Sequence, residues 1–363
     1  MKSLISILSR NKIYAALTLF IILVNIAVFV EKKVPERDAS TQAVTEVPEQ
    51  PEVRDEAPEG KRSILDEDAE ERKNRIAELA QKNPRLYLFI GLFNLLILFL
   101  IFAGFFVDVY LVGRVFNKRP LEIELNSQSP PRWGIPDVIR VVIIFLSFGY
   151  FFVIAQAFFL KLFPILNNDN FRMVFSTSVM NAVAISVICY FVIIKHGQEL
   201  KDIGITARRV PAGMFYAVAG YLALLPVLLV VMVATYYVTE LLKYKPPVQP
   251  IVEVFMEEKE TGVLWFSTIF AAVFGPVAEE IFFRGFMYPA IRKKLGVFLG
   301  ILITAAVFSL LHAHIVGFLP ILALGALLAY LYEKTGSLVA PITVHIIHNL
   351  GMVMLVFIMR SLN

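Results

Sequence analysis

The chain has 363 residues, 58% of them hydrophobic and 18% charged, with a mean hydropathy of +0.70. A soluble globular domain carries about a quarter charged residues, so this composition excludes that class and points to a membrane protein. The net charge of +4 and pI near 9.0 come from short basic clusters beside apolar runs, the distribution of topology signals and not of a nucleic-acid surface. A single cysteine, Cys189, rules out a disulfide framework or a Cys-based zinc site within one chain.

Crossing a hydrocarbon core of about 30 Å takes about 20 apolar residues. Such stretches occur at about 13–30, 87–112, 138–163, 172–194, 211–238, 263–283, 296–313, 316–332 and 339–359. Lipid leaves the backbone only helices or closed barrels, and no ten-residue alternation of a barrel strand is present. The predicted fold class is therefore an all-α polytopic membrane protein of about nine transmembrane helices. The last three spans are short or closely spaced, so one is expected to tilt or re-enter.

Residues 1–30 read as an uncleaved membrane anchor, because the apolar run is longer than a signal-peptide core and no A-x-A-like site precedes EKKVPER. Residues 31–85 hold half of the chain's 30 acidic residues together with several prolines. Their first part, TQAVTEVPEQPEVRDEAPEGKR, has almost nothing to bury and is expected to be an extramembrane linker. After it, SILDEDAEERKNRIAELAQKNP predicts a short solvated helix. Its capping-box-like start is Ser63 with Asp66, its few apolar positions are Ile64, Leu65, Ile76 and Leu79, and Asn83-Pro84 is its stop. Residues 86–363 form the multi-helix membrane domain.

Short-loop Lys and Arg set orientation. Lys2, Arg10 and Lys12 precede the first span, and Arg114, Lys118, Arg119 and Arg132 follow the second. Lys195, Lys201, Arg208 and Arg209 follow the fourth, and Arg292, Lys293 and Lys294 the sixth. All fall on one side, which is read as cytoplasmic together with the N-terminus. The acidic segment 31–85 then lies outside, where it has room for an extracytoplasmic partner. The localisation expected is a bacterial cytoplasmic (inner) membrane.

An ionisable group inside a span is costly unless paired, which makes it a functional candidate. Glu279, Glu280 and Arg284 lie in one of the most apolar stretches, GPVAEEIFFRGF, and four of the five histidines follow at 312, 314, 345 and 348. Glu280 and Arg284 are spaced i,i+4 with the acid first, the favourable order for an ion pair on one helix face. Glu279 points about 100° away and stays available. His345 and Asn349 share a face at i,i+4, and His312 follows Phe308 by the same step. Three helices would then offer a carboxylate, an imidazole and an imidazole–amide pair to one cavity. A carboxylate and a histidine can hold and deprotonate water, while a second histidine and an amide can donate to the oxyanion. His314 and His348 are read as interfacial, with His348 near enough to border the cavity. There is no H-E-x-x-H, no G-x-S-x-G and no Walker A or dinucleotide glycine motif.

This ordered set resembles the CPBP (Abi) family of CAAX proteases and bacteriocin-processing intramembrane glutamic endopeptidases. E-E-x-x-x-R is matched by Glu279, Glu280 and Arg284, F-x-x-x-H by Phe308 and His312, and H-x-x-x-N by His345 and Asn349. The run EKTGSLVAPITVHIIHN also looks like that family's approach to its last motif. The resemblance covers about 140–360, the last eight helices resembling the CPBP core. It implies an intramembrane endopeptidase in which Glu279 activates water with His312. His345 and Asn349 would form the oxyanion site, with Glu280, Arg284 and Phe308 in support. The substrate implied is a membrane-associated peptide or protein in the lipid bilayer, with no nucleic acid. No cofactor is expected, although two histidines and a glutamate leave a divalent metal open. Two other classes remain in view: a non-catalytic scaffold or immunity protein, and a transporter with a Glu/His proton relay. A transporter predicts interrupted helices in two related halves, and no such repeat is visible. On the simple topology His312 lies near the far end of its span and His345 near the start of its own, so matching their depths requires strong tilt or different span boundaries.

Overall fold

A computed structural model describes residues 11–33, 74, 77, 78, 80–117, 130–160, 162–206, 210–244, 246 and 248–362. Ser63, Asp66 and the proline-containing linker lie outside these residues, as do Lys118, Arg119, Arg208 and Arg209. Among the described residues all regular structure is helical. In order these are α1 (Lys12–Lys33), α2 (Pro84–Phe116), α3 (Ile135–Phe159), α4 (Asp169–Cys189, continued by a π turn at Tyr190–Lys195), α5 (Val210–Leu241) and α6 (Pro250–Glu257). Then come α7 (Thr261–Ile269), a π turn (Phe270–Phe274), α8 (Gly275–Glu280), a second π turn (Ile281–Met287), α9 (Tyr288–Leu311), α10 (Phe318–Thr335) and α11 (Val339–Leu362).

Among the described residues seven helical stretches are long and apolar enough to cross a membrane, and Lys12–Ile26 is a shorter apolar helix. The protein is an integral membrane protein. One of the seven, Thr261–Leu311, is far too long for a single span, and it breaks at Gly296, whose φ of 81° and ψ of 176° are non-helical. A residue with a Cβ is strained at that φ. The break separates the two spans expected at 263–283 and 296–313, so each predicted span has a helical counterpart. Asn83-Pro84 does more than stop a helix. The Asn83 side chain accepts from Leu86 N at 3.3 Å, and Pro84 opens α2, the position where a missing N–H costs nothing.

The chain divides into two units, residues 22–94 and residues 95–361 with 1–21. In the smaller unit Phe89 stacks on Phe93 and Glu78 pairs with Lys82. The larger unit carries the core. Its first helical segment runs parallel to α3, with Tyr14 under the Arg140 guanidinium at 5.8 Å and Phe20 edge-on to Tyr150 at 6.4 Å.

Polar contacts sort the loops of the larger unit into two ends. At one end Arg132 N donates to Gln198 at 2.7 Å, Lys293 donates to Pro131 O at 2.8 Å, and Leu338 N donates to Gly204 O at 2.9 Å. Buried Asp137 there gathers Arg140, Lys195 and His196, and Glu333 gathers Tyr288 and Arg292. At the opposite end Glu258, just past α6, accepts from Asn168 and Asn170, while Arg360 donates to Phe255 O and Glu258 O. This grouping is the one the alternating topology requires.

Glu258 is also a pH-sensitive clamp outside the spans. Burial by itself would raise its pKa, but donors from Glu260 N, Asn170, Asn168 and Lys259 N outweigh burial and hold it below the usual carboxylate value. A depressed folded-state pKa stabilises the fold above the unfolded value of about 4.3, and that contribution is lost as pH falls through the folded value. Stability should therefore fall between about pH 4.3 and lower values, and Glu258→Gln should flatten that slope. An unchanged acid profile in the Gln variant would refute the clamp.

Pro226 sits inside α5 and cannot donate to Leu222 O. Gly104 of α2 lies against that carbonyl: a Cβ there would stand 2.1 Å from Leu222 O and 2.9 Å from Pro226 Cδ. Gly104→Ala is expected to cost about 1–3 kcal/mol by overpacking, read as a lower melting temperature in detergent. Wild-type stability in that variant would mean the two helices do not meet at this depth.

Candidate active site

The site is built where α8 and its following π turn meet α9, α10 and α11. The sequence-based geometry assumed a regular α-helix through Glu279–Arg284, whereas the segment turns π after Glu280. The predicted ion pair closes nonetheless: Arg284 Nη1 donates to Glu280 Oε1 at 2.7 Å, with both side chains fully buried. Arg284 Nη2 donates to Gly325 O of α10 at 3.2 Å, and its guanidinium lies 4.5 Å from the centre of the Phe308 ring. A Cβ on Gly325 would stand 3.2 Å from both Ala305 Cα and Phe308 Cδ1. The absence of a side chain there is what lets α10 bring its carbonyl to Arg284.

His345 of α11 completes the buried group. Its Nδ1 lies 2.8 Å from Glu280 Oε1, and its Nε2 lies 3.8 Å from Glu279 Oε2. With the carboxylate accepting, Nδ1 carries the proton and Nε2 is the nitrogen turned to Glu279. Glu280 is thus held by a guanidinium and an imidazole together. Glu279 is 34% exposed in its side chain, yet its Oε2 atom is buried and has no hydrogen-bond partner among the described residues. Glu280 and Glu279 thus differ in surroundings: the first is bonded to Arg284 and His345, the second faces His345 Nε2.

His312 reaches this group through Phe308. The Phe308 ring centre is 4.6 Å from the His312 ring and 5.7 Å from the His345 ring. The His312 Nδ1–H donates to Phe308 O at 2.8 Å, since a carbonyl only accepts, so Nε2 is the exposed acceptor. The Phe308 ring, one turn before His312, bridges the two imidazoles although they sit at different positions along their helices. No described contact links His312 directly to Glu279.

Asn349 donates from Nδ2 to Ala271 O at 2.9 Å, across to the first π turn. His314 is a turn residue, its Nδ1 accepting from Gly317 N at 2.9 Å. His348 is not interfacial: Nδ1 lies 3.1 Å from Tyr221 OH of α5, inside two membrane-length helices. Tyr221 and Gly325 went unread as site neighbours because nothing in their own sequence surroundings marks them. Among the described residues no three His, Cys, Asp or Glu side chains are grouped to hold a metal ion.

Residues 261–351 match the family model described as type II CAAX prenyl endopeptidase Rce1-like. That stretch contains all three motifs and every side chain of the buried group. The segment carrying the site is thus similar to the CAAX protease (CPBP) family. Within Bacillus subtilis (strain 168), a protein named "Putative membrane peptidase YdiL" is 33% identical over 81 residues, 22% of this chain. The match spans 33% of that relative's length. No solved structure matches. What the comparison adds to the geometry is that the stretch carrying the buried group is the stretch that resembles a membrane endopeptidase family.

Proposed function

We propose that this CAAX protease family member is a membrane peptidase that hydrolyses a peptide bond of a membrane-associated peptide or protein with a water activated by Glu279. The observation that carries the reading is the buried, unpartnered Glu279 Oε2 set 3.8 Å from His345 Nε2. At 3.8 Å the two atoms are close enough for one water to bridge them once the side chains part to admit it. Glu279 takes the proton, the hydroxide attacks the carbonyl carbon, and the proton passes from Glu279 to the leaving amine as the C–N bond breaks. His345 is fixed for this by Glu280, and Glu280 by Arg284. His312 offers a second basic nitrogen beside the same aromatic ring. Purified protein incubated with a library of membrane-inserted peptides should yield discrete cleavage products, mapped by mass spectrometry. Intact peptides throughout would leave the scaffold reading in front.

The orientation follows from charge. Arg132, Lys195, Lys201, Arg292, Lys293, Lys294 and Lys334 belong to the end where α3 begins. The start of α1 shares that end through Tyr14. By the positive-inside rule this end and the N-terminus are cytoplasmic, in a bacterial inner membrane, and residues 31–85 are external. A topology reporter fused after residue 60 is expected to report outside; a cytoplasmic signal would reverse the assignment.

A further inference from the structure

The stretch just before the paired glutamates explains what holds the third motif in place. In the π turn Phe270–Phe274, Gly275 N–H donates to Phe270 O. The next residue able to reach Ala271 O along the π ladder is Pro276, which has no N–H. Ala271 O is thereby left without a donor in its own helix, in a span where lipid offers an unsatisfied carbonyl no substitute. The Asn349 Nδ2 donation at 2.9 Å supplies the missing bond. Asn349 sits one helical turn beyond His345 on the same face of α11, and Ala271 lies two turns before Glu279. The bond therefore ties the imidazole helix to the carboxylate helix on the side of the site away from the Glu280–His345 contact.

Resting on the peptidase reading above, we infer that Asn349 is a positioning residue. Its amide captures the carbonyl orphaned by Pro276 and so sets the separation of His345 from Glu279. The tether uses one N–H of the Asn349 amide and leaves the second N–H open to the substrate. The two roles differ in their dependence on Pro276, because restoring an N–H at position 276 gives Ala271 O a donor of its own and makes Asn349 dispensable as a tether.

The test is a double-variant cycle with Pro276→Ala and Asn349→Leu in the full-length protein, reading thermal unfolding and peptide hydrolysis side by side. Asn349→Leu is expected to lower the melting temperature by about 5 °C. It is also expected to lower kcat about a hundredfold with KM little changed, the signature of misplaced catalytic groups. Adding Pro276→Ala should recover at least half of the melting-temperature loss and about tenfold in kcat. Wild-type stability in Asn349→Leu would overturn the inference without reference to Pro276. So would deficits that stay unchanged when Pro276→Ala is added to a variant that still folds. If the wild-type protein hydrolyses nothing, that result counts against the peptidase reading, and the unfolding cycle alone decides the role of Asn349.

Discussion

Glu279→Gln is expected to abolish hydrolysis while leaving the fold intact. The change removes the negative charge and the proton-accepting oxygen but keeps the shape, and the side chain is one-third exposed and free of hydrogen bonds at Oε2. Loss of a general base lowers kcat by about 10²–10⁴-fold. KM should change little, because no substrate-binding contact is removed. Glu280→Gln should show the opposite balance. Its carboxylate is fully buried between Arg284 and His345, so neutralising it strands a guanidinium and loosens an imidazole, and the melting temperature should fall. Measured together, the two variants separate chemistry from scaffolding on adjacent residues. Undiminished cleavage by Glu279→Gln would remove Glu279 from the mechanism, as would a stability loss equal to that of Glu280→Gln.

Arg284→Leu is expected to be among the most destabilising single changes in the protein. Removing one partner of a buried pair leaves an uncompensated charge and costs about 3–5 kcal/mol. Here the guanidinium also bonds Gly325 O and stacks on Phe308, so three helices lose a shared contact. Arg284→Lys should be milder but still deficient, since an ammonium cannot reproduce the planar fork that meets a carboxylate, a carbonyl and a ring at once. Removing both charges together, in Glu280→Leu with Arg284→Leu, should recover stability relative to Arg284→Leu alone, because apolar replacement of a whole buried pair is often neutral. Activity should not recover, because His345 loses the carboxylate that orients it. Unfolding in detergent and peptide hydrolysis measure the two effects. Equal stability of Arg284→Leu and wild type would show that the pair is not buried in the membrane-embedded protein.

These expectations rest on features read at different levels. The spans, the break between the two central ones and the membership of Glu280 and Arg284 in one pair were legible along the chain, because apolar length and i,i+4 spacing are local properties. So was the separation of Glu279 from that pair, since neighbouring residues on a helix cannot face the same way. The π turns on both sides of Glu279 and Glu280 were not legible. They widen the backbone without any special residue type except Pro276, whose effect shows only once the helix ladder around it is laid out. The contact of His312 with Phe308, and of Phe308 with His345, was not legible either, because it depends on where Gly296 breaks the helix and where His312 caps it.

The amino-acid sequence by itself determined that this is a membrane-embedded helical protein and singled out three short motifs as its candidate site. Ionisable groups in apolar helices are conspicuous, and lipid permits few other folds. Only the tertiary structure decided which groups touch. It set His345 against Glu280 and Arg284 against Gly325 O and Phe308. It also joined His348 to Tyr221 and Asn349 to a carbonyl of the glutamate helix. The reason is physical: in lipid every buried polar atom needs a partner, and for these atoms that partner lies on a different helix, many residues away in the chain.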